Sequence, residues 1–100
     1  MSEIEIQDGY PTDKSLEWIK NCKNFRDIYH AVDDAWSYPE RSWIEDDFFW
    51  HLSTGGWSGN EDLIGAMQEN TMFWLMCWVS SKRGGHFVFE LKKEPNQNEN

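Results

Sequence analysis

Two stretches of this chain hold the residue types that binding chemistry needs. STGGWSGNED, Ser53 to Asp62, sets three glycines, hydroxyl groups and an indole between an aromatic-rich run and a helix-like one. SSKRGGH, Ser80 to His86, adds two cations, two glycines and an imidazole. Glycines free backbone N–H groups to turn toward an anion, and a guanidinium is a forked donor for phosphate or carboxylate. An indole can stack on a base or another ring. Ser53, Thr54, Trp57, Ser58, Lys82, Arg83 and His86 are therefore the candidate contacts for an anionic, nucleotide-like ligand.

A plainer reading stands beside that one. Ser58-Gly59-Asn60-Glu61 fits a capping box, with Ser58 as the cap and Glu61 at its third position. Glu61 and Asp62 would already answer the helix dipole, so a phosphate there would face two carboxylates. Gly55-Gly56 would then serve only positive φ. The loop is neither a Walker sequence nor GxGxxG. Binding loop and capping turn both remain open.

Other constellations imply less. His30 and Asp34, four apart on a helix, have no third ligand in evidence, so no metal site is expected. Glu45, Asp46 and Asp47 precede an aromatic strand with His51 close behind. Alternation lets at most two of the acids share a face, which reads as a solvated edge rather than an acid/base pair. Ser53 and His86 would suit a nucleophile and its base, but nothing resembles a nucleophile elbow. The expectation is a protein that is not an enzyme and needs no cofactor. Cys22 and Cys77 sit in apolar patterns without ligand spacing, as two thiols in a reducing compartment would.

Charge narrows the partners. Residues 1–69 carry 15 acids against 5 Lys/Arg and residues 70–100 carry 3 against 4, which together give the net −9. That balance repels phosphate backbones, so direct nucleic-acid binding is disfavoured. The N-terminus is acidic with no apolar core, unlike a signal peptide. MFWLMCWV falls far short of the ~20 apolar residues that span a bilayer. A cytoplasmic protein without membrane contact is expected.

The elements that must position these residues follow from periodicity. GluIleGluIle at 3–6 alternates as a short edge strand would. A helix starts near Thr12 or Asp13, either of which can cap it. Trp18, Cys22, Phe25, Tyr29, Val32 and Trp36 recur at helical spacing along one face. One long helix fits, and so do two with a break at Asn21–Asn24, Asn24 capping the second. Ser37 to Ser42 is a connector. Phe48, Trp50 and Leu52 alternate with Phe49, His51 and Ser53 as a strand. Leu63, Ile64, Ala66 and Met67 mark a short helix. TMFWLMCWV, apolar almost throughout, reads as a central strand covered on both faces. A turn and the alternating HFVFEL close the domain.

The result is an α+β fold over residues 1–93, with a polar, disordered tail at 94–100. Its order is (β)-α-β-α-β-β: a small mixed sheet of three or four strands against the N-terminal helices. A right-handed crossover would set the first main strand parallel to the central one. The two glycine-bearing bends then leave the same edge of the sheet, where open α/β sheets bind ligands.

Trp50 to Leu91, with STGGWSGNED and SSKRGGHFVFEL, resembles a group of small uncharacterised proteins encoded by bacteriophages and prophages. The likeness covers about the C-terminal half and carries no catalytic residue with it. It implies a bacterial cytoplasm during infection. It also implies a second kind of function, by analogy alone: an acidic inhibitor or adaptor that blocks a host defence or nucleic-acid-binding protein. Asp33, Asp34, Glu40, Glu45, Asp46 and Asp47 would then face a basic groove.

Overall fold

Asn24 decides how the N-terminal apolar stripe is built. In the computed structural model, which describes residues 4–91, the stripe is two helices rather than one. Helix α1 spans Asp13–Asn21 and α2 spans Phe25–Ala35. The Thr12 hydroxyl accepts from the Ser15 amide at 3.2 Å, and the Asn24 carboxamide accepts from the Asp27 amide at 3.0 Å. Each cap satisfies an amide that the first helical turn would leave without a partner. Ile19, Ile28, Val32 and Trp36 are buried along the shared face.

Ahead of α1, β1 (Ile6–Gln7) and β2 (Tyr10–Pro11) pair as a two-stranded antiparallel hairpin. The strand expected at 3–6 is observed only at Ile6–Gln7, and Glu3 lies outside the described residues. Asp8 and Gly9, at φ 55° and 86°, make the bend.

The chain then forms a 3-10 turn at Pro39–Arg41, β3 (Ser42–Glu45) and β4 (Phe49–Ser53). The expected connector holds as far as Arg41, and the single strand expected after it is two strands. Asp46 and Asp47 fold between them at φ 55° and 71°, and the Phe48 amide donates to the Glu45 carbonyl at 3.3 Å. Positive φ at both central residues suits the right-handed twist of a hairpin, and aspartate tolerates it.

Helix α3 (Ser58–Glu69) is followed at once by α4 (Thr71–Cys77), then by β5 (Trp78–Lys82) and β6 (His86–Glu90). The central strand expected at 71–79 is therefore mostly helix. Asn70 explains the difference. Its side-chain oxygen accepts from the Phe73 amide at 3.2 Å, while its NH2 donates to the Ile19 and Cys22 carbonyls at 2.8 Å each. One buried carboxamide starts a new helix and ties it to the end of α1. Apolarity alone does not separate such a segment from a strand.

The large sheet has the order β3-β4-β6-β5, with antiparallel pairing throughout. The fold class is α+β as expected, but the mixed sheet and its parallel neighbours are not formed. Strand β6, not residues 71–79, lies between its neighbours. Strands β4 and β5 still run in the same direction, because both are antiparallel to β6. Their C-terminal ends accordingly share one edge.

The helices pack on one face of this sheet. Trp50, Leu52 and Phe89 join Ile19, Ile28, Val32, Leu63, Met67 and Phe73 in a single core. Tyr29 meets Trp50 edge-on at 4.9 Å, and Phe73 and Trp74 each lie 5.4 Å from Phe89. Part of the tryptophan-rich composition is thus a core cluster. The opposite face carries Trp43, His51, Val88, Ser53 and His86, as register requires of residues paired across strands.

Candidate functional site

The rim of the sheet is set by three antiparallel pairings. Ser53 of β4 stands opposite His86 of β6, and His86 stands opposite Lys82 of β5. Residues so paired share a face, so Lys82, His86 and Ser53 form a row across the end of the sheet. Arg83 follows in the exposed turn, whose Gly84 and Gly85 adopt φ 87° and 82°. Arg41, just before β3, lies along Gly55: a Cβ there would come within 3.1 Å of the guanidinium Nε. Among the described residues, neither Arg41, Lys82 nor Arg83 makes an ion pair.

One row inward, Trp43 stacks on His51, with ring centroids 5.0 Å apart and planes 6° from parallel. His51 Nδ1 lies 3.0 Å from His86 Nε2, and His51 Nε2 lies 2.8 Å from a Glu45 carboxylate oxygen. The carboxylate holds a proton on the nearer nitrogen and fixes the ring. His86 is pushed below the ordinary histidine range by burial first, then by His51 and Lys82. It therefore sits among groups that already disfavour another positive charge. An arriving anion would reverse that balance.

The two glycine-bearing bends do meet, although not as a phosphate cradle. The Thr54 amide donates to the Gly85 carbonyl at 3.0 Å, and a Cβ on Gly85 would lie 2.2 Å from Thr54 Oγ1. Within the first bend, the Gly56 amide donates to Thr54 Oγ1 at 3.3 Å and the Trp57 amide to the Thr54 carbonyl at 3.0 Å. These three N–H groups are spent inside the fold. What the rim offers an anion is side chains.

Seven residues were expected to converge. Ser53, Lys82 and His86 share the row, with Arg83 beside them, and Thr54 is buried beneath. Trp57 and Ser58 turn to the N-terminal hairpin instead. Trp57 stacks on Tyr10 at 5.4 Å, and the Ser58 hydroxyl donates to the Tyr10 hydroxyl at 3.3 Å. The capping box is not formed either. Trp57 is the residue at the helix start, with no side-chain cap. Asn60 turns inward, accepting from the Ser37 amide at 3.0 Å and donating to the Ser37 and Thr54 carbonyls.

Sequence reasoning missed Arg41 and Trp43. SWIE carries no apolar alternation and Arg41 lies in the connector, so no local signal places either residue at the rim. On the helix side of the same rim, Thr54, Glu61, Ile64, Gly65, Gln68, Gly85 and Phe87 line a cleft of about 240 Å³. Its one charged wall residue is an acid, so the cleft does not suit an anion.

The acids of the alternative reading are dispersed. Asp46 and Asp47 form the exposed tip of the β3–β4 hairpin, and Glu45 is engaged by His51. Asp33 accepts a hydrogen bond from the Ser42 hydroxyl, which in turn accepts from Trp50 Nε1 at 3.1 Å. Asp33 also pushes the Tyr29 phenol further above its ordinary range, after burial. Asp34 and Glu40 are exposed on α2 and in the 3-10 turn.

Ser53 and His86 face each other across strands, yet no hydrogen bond joins their side chains among the described residues. No group of three or more His, Cys, Asp or Glu is placed to hold a metal among the described residues. Cys22 and Cys77 form no disulfide among the described residues. No helix of the described residues is long and apolar enough to cross a membrane. Comparison with known proteins gives no match to a family model, to a curated protein or to a solved structure.

Proposed function

We propose that this protein is a non-enzymatic binding module that holds an anionic, nucleotide-like ligand on the open sheet face at its basic rim. The supporting observation is the register that aligns Lys82, His86 and Ser53 beside Arg41 and Arg83. Arg83 and Arg41 supply forked donors, Lys82 a point charge, and Ser53 a hydroxyl. The exposed Trp43 ring replaces Trp57 as the surface on which a base or sugar ring would stack. The resemblance to phage-encoded proteins supports a bacterial cytoplasm as the setting.

Titration calorimetry and thermal shift against nucleoside mono-, di- and triphosphates, cyclic dinucleotides and inorganic phosphate test this. A ring-bearing anion should raise Tm, and Arg83→Ala or Lys82→Ala should each weaken it about tenfold, or about 1.4 kcal/mol. Absence of any shift, or indifference to both substitutions, would sink the reading.

A second reading is favoured by the hairpin tip, where left-handed backbone holds Asp46 and Asp47 out in solvent. As an acidic inhibitor or adaptor, the protein would dock that tip on the basic groove of a host defence or nucleic-acid-binding protein. Asp46→Lys with Asp47→Lys would then abolish capture of the partner while Arg83→Ala leaves it intact.

A further inference from the structure

Helix α4 is apolar on both sides but packed on only one. Phe73 and Cys77 are buried against the core. Met72, Leu75 and Met76, at i, i+3 and i+4, are 61%, 77% and 49% exposed, and Trp78, which follows at the start of β5, is 43% exposed. Helical neighbours three and four apart line one face. The composition that suggested an element covered on two sides therefore belongs to a helix with one side bare. Exposed apolar side chains gathered on one helix face are not the singly scattered ones that any monomer shows.

We propose that this face is where a second copy of the chain docks, forming a two-fold dimer through α4 and the start of β5. Charge favours a second copy. Asn70 to Ser81 contains no Asp, Glu, Lys, Arg or His, in a chain of net −9. Two such chains meet here without opposing their acids, whereas residues 1–69 hold 15 acids against 5 Lys/Arg. Shape favours it too. Leu75 projects, and Met72 borders a cleft of about 340 Å³ also lined by Lys20, Asn21, Cys22, Lys23 and Asn70. A two-fold interface needs projection and recess on the same surface, each copy filling the other.

Lys20 and Glu69, paired at 3.5 Å beside this apolar centre, supply the polar rim that interfaces carry. Residues 1–3 and 92–100 bring little apolar surface to cover this face. Met1-Ser2-Glu3 and Lys92 to Asn100 (KKEPNQNEN) contain a single large apolar side chain between them.

The test is the molar mass of the intact chain by light scattering under reducing conditions, so that Cys22 and Cys77 cannot cross-link. Loading is varied from about 5 to 200 µM, because a dimer dissociates on dilution. The wild type should approach twice 11.9 kDa at the upper end, while Leu75→Glu stays at 11.9 kDa with an unchanged circular dichroism spectrum. Met76→Glu repeats the measurement should Leu75→Glu fail to fold. A wild type at 11.9 kDa throughout overturns the proposal, as does a doubled mass in both folded variants. Sedimentation of a monomeric wild type with phosphatidylcholine vesicles would assign the face to lipid and also overturn it.

Discussion

The two ends of the large sheet are built by opposite means. At the basic rim, conformation is over-determined. Thr54 is pinned to Gly85, Asn60 ties the loop to Ser37, and Trp36 Nε1 donates to the Ser53 carbonyl at 3.1 Å. At the acidic end, Asp46 and Asp47 turn in solvent, with the Phe48-to-Glu45 backbone bond closing the bend. Strand β4, at 3.3 Å per residue, separates the two by roughly 13 Å. A preorganised surface loses little freedom when a ligand arrives, which is why rigid rims hold small molecules better than free tips. On the function proposed above, the contrast suits the rim to a small ligand and the tip to a macromolecular partner.

The sharpest way to break that contrast is Gly85→Ala. A methyl group there meets Thr54 Oγ1 and must also accept φ 82°, so the fold should lose about 3 kcal/mol or more in urea unfolding. Gly84→Ala, at φ 87° with nothing within 4 Å, should lose only about 1 kcal/mol. Equal losses would mean that the two bends do not touch.

Asn60→Ala comes next. It strips three hydrogen bonds from a buried site and leaves the Ser37 and Thr54 groups without their partner, at a cost of about 2–3 kcal/mol by the same measurement. Asp46→Lys with Asp47→Lys, at the other end, removes no tertiary contact but puts lysine at φ 55° and 71°, so it should cost about 1–2 kcal/mol of local turn strain.

Smaller effects sharpen the chemistry. Because His86 is held below the ordinary histidine value, the unfolded chain takes up a proton at higher pH than the folded one. Its contribution is fully present above about pH 6.5 and is lost as pH falls through the folded value. His86→Gln should flatten that part of the Tm-against-pH curve. Anion binding should run the other way, tightening as pH falls, because the ligand favours the protonated ring. Asn24→Ala should lose about 1 kcal/mol of helix capping in the same urea unfolding.

Much of this arrangement was legible because it rests on local chemistry. Thr12 and Asn24 announce helix starts, the alternation through Trp50 and Leu52 announces a half-buried strand, and the glycines of KRGGH announce a turn. What escaped depends on distant partners. Asn70 becomes a helix start because the Ile19 and Cys22 carbonyls await its amide. Ser58 gives up the cap because Tyr10 lies within reach. Arg41 belongs to the rim only because Gly55 leaves room for it. Convergence of the bends came out as expected by another route: β4 and β5 point the same way across β6 rather than side by side.

The close fit of Thr54 over Gly85 has a consequence for how this chain can be rebuilt. The bends at 54–57 and 83–85 are length-matched parts, and an extra residue in either would pull them out of register. The Asp46–Phe48 tip has no such counterpart. Foreign peptides, tags or fluorophore sites grafted there should leave the far rim undisturbed.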